Sequence, residues 1–153
     1  MYSINNWLFI GKYRDTLDQG ILQEQGIGAM LQLAERVEHD GIASLYLPVE
    51  DGEPIPLNLL AKGLVFVEDQ HAEGKKLLIA CGAGISRSVA YSMAALREVE
   101  KRSLVDAFHK IHENHPAALP HPALLVSLGN YYPDEPPTKL LQAIHHIDHF
   151  PLK

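Results

Sequence analysis

The alternation of apolar runs with turn residues along this chain predicts an α/β fold. Short apolar stretches that end at glycine, proline or polar residues predict buried strands over residues 7–11, 29–33, 43–47 and 76–80. Between the last two of these strands, apolar residues recur at helical spacing over residues 57–74. Strand, helix and strand in succession indicate a parallel crossover connection. The core of the protein is therefore expected to be a parallel sheet.

The rest of the pattern is helical. Asp15 or Thr16 is placed to cap a short helix that ends near residue 25. Further helices are predicted over 88–100, over 103–114 with Ser103 as its cap, and over 122–131. Together these elements predict a central, mostly parallel sheet of four to five strands with helices on both sides. This is a three-layer α/β/α arrangement.

The domain organisation follows from length and from one proline-rich stretch. The chain has 153 residues, of which 46% are hydrophobic and 21% charged, which is enough for one domain with a sizeable core. The segment Pro133-Asp134-Glu135-Pro136-Pro137 interrupts the last part of the pattern, and one more helix is predicted over 138–148. We predict a catalytic domain over residues 1–132 and a C-terminal helical appendage over 133–153 that lies outside the main domain.

Charge and hydropathy exclude some classes of partner. The 19 acidic residues outnumber the 13 basic residues, and no lysine or arginine stripe is present. A nucleic-acid partner is therefore not expected. No segment approaches the roughly 20 apolar residues of a membrane span, and the first residues have no basic region followed by an apolar one. We expect a soluble, cytoplasmic protein with no membrane partner.

The only cysteine lies where a predicted buried strand meets a predicted helix. This cysteine loop, residues 81–88, reads Cys81-Gly82-Ala83-Gly84-Ile85-Ser86-Arg87-Ser88. A helix N-terminus stabilises a thiolate, and converging backbone N–H groups bind a tetrahedral anion. Gly84 fits a position that needs positive φ, and the Arg87 guanidinium can pair with two phosphoryl oxygens. The predicted substrate-binding residues are Gly82, Ala83, Gly84, Ile85, Ser86 and Arg87.

This loop resembles the signature of the protein tyrosine phosphatase superfamily, and within it that of the dual-specificity phosphatases, His-Cys-x-x-Gly-x-x-Arg-Ser/Thr. The resemblance runs from about Trp7 to Tyr132. It implies a nucleophile at Cys81, phosphoryl binding by Arg87 and a hydroxyl at Ser88 that donates to the departing thiolate. It implies no metal and no other cofactor.

The resemblance also implies a general acid about thirty residues before the cysteine, which protonates the leaving oxygen. In the segment Tyr46-Leu47-Pro48-Val49-Glu50-Asp51-Gly52, Asp51 occupies the matching position. The neighbouring Glu50 and Glu53 remain open as alternatives. The chain departs from the family pattern at Ala80, where the family has a histidine that supports the loop by hydrogen bonding. We therefore expect weakened activity.

The histidines near the C-terminus offer a weak metal pattern. His145 and His149 lie one helical turn apart, but no third ligand can be specified. We predict that this pair, together with His109, His112 and His115, belongs to a solvated polar face. No metal site is predicted.

The function expected from these residues is hydrolysis of phosphotyrosine in a phosphorylated protein or peptide, through a thiophosphoryl-cysteine intermediate. Phosphoserine and phosphothreonine remain open as further substrates. Two other substrates stay as alternatives, a phosphoinositide and an RNA 5′-triphosphate. The loop has no lysine to meet additional phosphates, and the chain is acidic. An alternative of a different class is a phosphoprotein-binding module without turnover.

Overall fold

A computed structural model of the protein describes residues 1–148 and contains one five-stranded sheet. The strands are β1 (Tyr2–Ser3), β2 (Leu8–Lys12), β3 (Ile27–Gln32), β4 (Ala43–Tyr46) and β5 (Lys76–Cys81). Their order across the sheet is β1-β2-β5-β3-β4, so that β5 lies in the middle. Only the β1–β2 pair is antiparallel. The prediction of a mostly parallel sheet of four to five strands is confirmed.

Seven α-helices surround the sheet in the described part of the chain. They are α1 (Tyr13–Thr16), α2 (Gln19–Glu24), α3 (Leu57–Ala72), α4 (Arg87–Glu100), α5 (Leu104–Asn114), α6 (Pro122–Tyr131) and α7 (Pro137–Leu140), with a π-helical turn, Leu141–His145, after α7. The predicted capping of α5 by Ser103 is present, since the serine side chain accepts a hydrogen bond from the Asp106 N–H.

Alternate residues of the strands face two separate apolar clusters. Leu77 and Ile79 of β5 belong to the larger cluster, which includes buried side chains of α3, α4, α5 and α6. Leu78 of β5 belongs to the smaller cluster on the opposite face, where it meets Leu22 of α2. Because successive side chains of a strand point to opposite faces, this alternation requires a layer on each side of the sheet. The three-layer α/β/α prediction is confirmed.

The first thirty residues differ most from the predicted elements. Strand β1 was not predicted, because two residues carry no periodic signal. The single short helix expected before residue 25 is instead two helices, and the cap of the second is Asp18, whose side chain accepts from the Ile21 N–H. Asp15 does not cap that helix. Its carboxylate accepts a hydrogen bond from the backbone N–H of Lys12.

The segment after residue 132 packs on the core, which differs from the expected appendage outside the main domain. Leu140, Leu141 and Ile144 are buried in the larger cluster. Glu135 is 2% exposed and accepts a hydrogen bond from the Leu104 N–H at the start of α5. The predicted helix over 138–148 is a short α-helix and a π-helical turn. The predicted boundary at residue 132 stays a prediction, and residues 149–153 of the predicted appendage lie outside the described residues.

Over residues 1–148, the protein contains no helix with the length and apolar character needed to cross a membrane.

Candidate active site

The central strand and the longest helix that follows it place Cys81 at the base of a cavity. Cys81 is the last residue of β5, at the carboxyl edge of the parallel strands, and α4 begins six residues later at Arg87. Open parallel sheets bind ligands at this edge. The cavity has a volume of about 320 Å³, and Cys81 is 2% exposed. A molecule that reaches the thiol must therefore enter this cavity.

Two hydrogen-bonding groups of Ser88 surround the Cys81 sulfur. The Ser88 hydroxyl oxygen lies 3.1 Å from Sγ, and the Ser88 backbone N–H donates to Sγ at 3.4 Å. Ser88 is fully buried in the first turn of α4. A hydroxyl and an amide at a helix N-terminus both stabilise negative charge on sulfur. The structure thus brings Ser88 to the predicted nucleophile.

The backbone of the cysteine loop supplies a set of donors with no acceptor. In residues 1–148, no backbone or side-chain atom accepts a hydrogen bond from the N–H groups of residues 82–87. Gly84 has φ of 74°, and a Cβ there would lie 3.0 Å from the carbonyl carbon and oxygen of Gly11. Only glycine tolerates both this φ and this close approach to β2. Such a ring of unused amides is a nest for a tetrahedral anion.

The Arg87 guanidinium contacts the described part of the protein through one nitrogen and leaves its other edge unpaired there. Its Nη1 donates to the Val49 carbonyl at 2.8 Å. Its Nε is buried and has no partner among the described residues, and its Nη2 lies 3.0 Å from the position of a Cβ on Gly82. Nε and Nη2 form the edge of a guanidinium that pairs with two oxygens of one anion. Arg87 thus links the cysteine loop to the segment before Asp51 and keeps its bidentate edge free.

The acid loop, residues 48–56 between β4 and α3, brings one of its three carboxylates to the cavity. Asp51 lines the cavity, whereas Glu50 and Glu53 do not. The Asp51 side chain is exposed and has no hydrogen-bond or ion-pair partner among the described residues. An unpaired carboxyl group in the same cavity as the thiol is free to exchange a proton with a bound molecule.

The other predicted binding residues differ in how they contribute to the cavity. Ala83, Ile85 and Ser86 line it together with Arg87, whereas Gly82 and Gly84 contribute backbone to the loop and do not line it. Ile85 is 39% exposed, and Leu119, whose backbone N–H donates to the Ile85 carbonyl, is 48% exposed. The rim therefore carries two exposed apolar side chains above a polar base.

Three histidines lie closer to the site than the sequence indicated. His121 and His145 line the cavity, and His145 Nε2 lies 2.6 Å from the Pro120 carbonyl oxygen. His109 and His112 are exposed, as expected. The expectation that His115 is solvated is wrong: it is 1% exposed, and its Nε2 lies 2.7 Å from the Gly84 carbonyl oxygen.

No local pattern would have identified His115. It follows α5 directly, and its partner in the cysteine loop is 31 residues away in sequence. The proline-rich stretch that follows it gives no periodicity from which burial could be read.

The metal pattern of the histidines has no structural counterpart in the described residues. Within residues 1–148, no group of three or more His, Cys, Asp or Glu side chains is placed to hold a metal ion. His149, the second member of the predicted pair, lies outside the described residues.

Ala80, where the resembled family has histidine, is closely surrounded. It is 3% exposed in the smaller cluster and pairs in register with Gly11 and Gln32 on the neighbouring strands. The gap beside it, bounded by Tyr13 and Thr16 among others, is too small for a water molecule. A larger side chain would require these neighbours to move.

Comparisons with known proteins give a consistent result. The family model described as "Dual specificity phosphatase, catalytic domain" matches residues 8–134. The chain is 32% identical over 130 residues to human dual specificity protein phosphatase 16, which covers 81% of this chain and 19% of that protein. It is 30% identical over 108 residues to dual specificity protein phosphatase 12 of Mus musculus, which covers 66% of this chain and 32% of that protein.

Comparison with solved structures also finds a dual specificity phosphatase fold. The crystal structure of human DUSP28 superposes with a TM-score of 0.81 at 25% identity, covering 88% of this chain and 96% of that one. The chain thus spans a third or less of the two curated relatives, but nearly all of this solved domain.

Proposed function

Because the chain belongs to the family of dual specificity phosphatase catalytic domains, we propose that it hydrolyses phosphotyrosine in protein substrates by covalent catalysis at Cys81. The observation that carries this proposal is the single cavity that joins a buried thiol, an unpaired guanidinium edge and a free carboxyl group. These are the three groups that phosphoryl transfer to a thiolate needs: a nucleophile, an anion clamp and an acid.

In the first step the Cys81 thiolate attacks phosphorus, and the bond between phosphorus and the leaving oxygen breaks. Asp51 gives its proton to that oxygen, so that an alcohol or phenol departs. The amides of residues 82–87 and the free edge of Arg87 hold the three equatorial oxygens of the phosphoryl group. The product is a thiophosphoryl enzyme.

In the second step a water molecule attacks phosphorus and gives a proton to the Asp51 carboxylate. The bond between phosphorus and sulfur breaks, and the electron pair returns to Cys81. The Ser88 hydroxyl, 3.1 Å from the sulfur, stabilises the thiolate as it leaves. Inorganic phosphate departs, and the enzyme regains its starting protonation state.

The rim of the cavity supports an aromatic substrate. Ile85 and Leu119 offer apolar surface to a phenyl ring whose phosphate reaches the loop below. Phosphoserine and phosphothreonine have no ring to fill this rim, so we propose that phosphotyrosine is the better substrate.

The alternatives from the sequence receive less support. Arg87 is the only lysine or arginine among the described residues that line the cavity, so a second phosphate of a phosphoinositide or a triphosphate would meet no additional side-chain cation. A module that binds without turnover would not need Asp51 beside Cys81.

The cytoplasmic location stays a prediction from the sequence.

The experiment that tests the function compares the wild-type protein with Cys81→Ser on an aryl phosphate and on a phosphotyrosine peptide. We expect turnover by the wild type and none above background by the variant, which should still bind tungstate, a tetrahedral oxyanion. Equal turnover by both proteins, or no turnover by the wild type, would contradict the proposal.

A further inference from the structure

The segment between α5 and α6 makes three successive contacts with the cysteine loop. In this bracing segment, residues 115–121, the His115 ring lies against the Gly84 carbonyl oxygen at 2.7 Å. The Leu119 N–H donates to the Ile85 carbonyl at 2.9 Å, and the His121 N–H donates to the Ser86 hydroxyl at 2.9 Å. Three consecutive residues of the loop are therefore held from outside by one segment.

These contacts determine which way the loop amides point. The C=O of one residue and the N–H of the next belong to one planar trans peptide and point in opposite directions. When the Gly84 carbonyl is held by His115, the Ile85 N–H is turned to the other side. In the same way, the bond from Leu119 to the Ile85 carbonyl turns the Ser86 N–H.

His115 is fixed for this role by its own surroundings. A carbonyl oxygen only accepts, so Nε2 carries the proton. Nδ1 is buried and has no partner among the described residues. The ring stacks on Tyr2 of β1, with centroids 3.8 Å apart and planes 15° from parallel. Among the described residues, His115 is buried and makes its only hydrogen bond to the loop, so no other polar contact explains its placement.

We propose that His115 is the positioning residue that orients the Gly84–Ile85 peptide so that the cysteine loop binds a tetrahedral oxyanion. It supports the loop from the bracing segment, whereas a histidine at residue 80 would not fit without displacing its neighbours. The inference rests on the proposed function, because it assigns a role in oxyanion binding. It accounts for how a loop without a histidine at residue 80 keeps its shape.

Two variants separate the hydrogen bond from the packing. His115→Phe keeps a ring against Tyr2 and removes the donor, whereas His115→Gln places an amide N–H near the position of Nε2. Because one such bond contributes about 0.5–1.5 kcal/mol, we expect His115→Phe to weaken tungstate binding by about 2- to 10-fold. KM for an aryl phosphate should rise more than kcat falls. His115→Gln should recover most of the affinity.

The matched control is His112→Phe, the same replacement at an exposed position one turn earlier in the chain. It should leave tungstate affinity and KM unchanged. Thermal unfolding of every variant shows whether it is folded at the assay temperature.

The outcomes distinguish the inference from the function on which it rests. If the wild type binds no tungstate, the proposed function fails. If the wild type binds tungstate and folded His115→Phe binds it equally well, only the role of His115 is overturned. Equal loss of affinity in folded His115→Phe and His115→Gln also overturns it, since a donor near Nε2 would then make no difference.

Discussion

The two loops that meet at the cavity are held in very different ways. The cysteine loop is held from outside by β2, which lies against Gly84, and by the bracing segment, which contacts Gly84, Ile85 and Ser86. Within the loop, Ser88 contacts the sulfur. The acid loop is fixed near its ends, where Val49 contacts Leu33 and Arg87 and where the Ile55 N–H donates to Ser127.

Between those ends the turn at Asp51 is exposed, and its side chain has no hydrogen-bond or ion-pair partner in the described residues. The two loops meet different requirements of catalysis. An anion site gains from donors that are fixed before the substrate arrives, whereas a residue that transfers a proton must adapt to leaving groups of different size. We therefore expect changes in the cysteine loop to affect every substrate, whereas changes in the acid loop should affect substrates according to their leaving group.

The largest effect is expected for Gly84→Ala, which attacks the fixed loop directly. The added methyl group would meet the backbone of Gly11 at 3.0 Å in a conformation with φ of 74°. Because a misplaced loop loses its donors together, we expect kcat/KM to fall by about 100-fold or more for activated and poor leaving groups alike. Steady-state kinetics with a series of aryl phosphates measures this.

The control for Gly84→Ala is Gly74→Ala. Gly74 has φ of 76° and no atom within 4 Å of the position of a Cβ, so it carries the same backbone strain in open space away from the cavity. Activity should survive in Gly74→Ala. An active Gly84→Ala protein would show that the loop is not as tightly constrained as its contacts indicate.

The next effect is expected for Asp51→Asn, which keeps the shape of the acid loop and removes the proton. General acids contribute about 100-fold or more, so kcat on a phosphotyrosine peptide should fall by about that factor. With an activated aryl phosphate, whose leaving group needs little protonation, the loss should be much smaller. Rates plotted against the acidity of the leaving phenol give the comparison.

Glu50→Gln is the matched control for Asp51→Asn, because it removes the adjacent carboxyl group, which does not line the cavity. It should retain wild-type dependence on the leaving group. Should Glu50→Gln or Glu53→Gln show the selective loss instead, the acid would have to be reassigned.

A smaller effect is expected for Ser88→Ala, which removes the hydroxyl beside the sulfur. Because this hydroxyl stabilises the departing thiolate, breakdown of the thiophosphoryl enzyme should slow by about 10-fold. Rapid-mixing kinetics should then show a burst of phenol release before the steady state. Ser92→Ala, also on α4 and also buried, should show no such change. A uniform loss without a burst would contradict this role.

The smallest effect is expected for Ser127→Ala, which loosens one end of the acid loop. Its hydroxyl accepts from the Ile55 N–H at 2.8 Å, and its loss leaves that buried donor without a partner. We expect kcat on poor leaving groups to fall by about 3-fold, with tungstate affinity unchanged. The same Ser92→Ala protein serves as control. A change in tungstate affinity would mean that the two loops are not independent.

The elements that the sequence predicts correctly are those whose signals are local. The strand into Cys81, α5 with its Ser103 cap and α6 with Pro122 in its first turn all follow from periodicity and capping within a few residues. Strand β1 could not be predicted, because its extended conformation depends on pairing with β2. The packing of the segment after residue 132 could not be predicted either. The buried Glu135 pairs with Arg97 and with the start of α5, which are far away in sequence.

The site shows the same division. Cys81, Gly84, Arg87 and Ser88 are close in sequence, so their spacing carries most of the information about their arrangement. Asp51 was chosen over its neighbours by resemblance, and its place in the cavity supports that choice. The sequence predicts a solvated His115, because its contact is with Gly84, 31 residues away. Local patterns cannot carry contacts of that kind.

The proposed function depends above all on transfer of a phosphoryl group to the Cys81 sulfur. The most direct test quenches Ser88→Ala in acid within the burst phase and maps the added phosphoryl mass by peptide mass spectrometry. We expect one phosphoryl group, on the peptide that contains Cys81, and none in a protein that also carries Cys81→Ser. Turnover with no phosphoryl group on that peptide, or with the group on another residue, would contradict the proposed function.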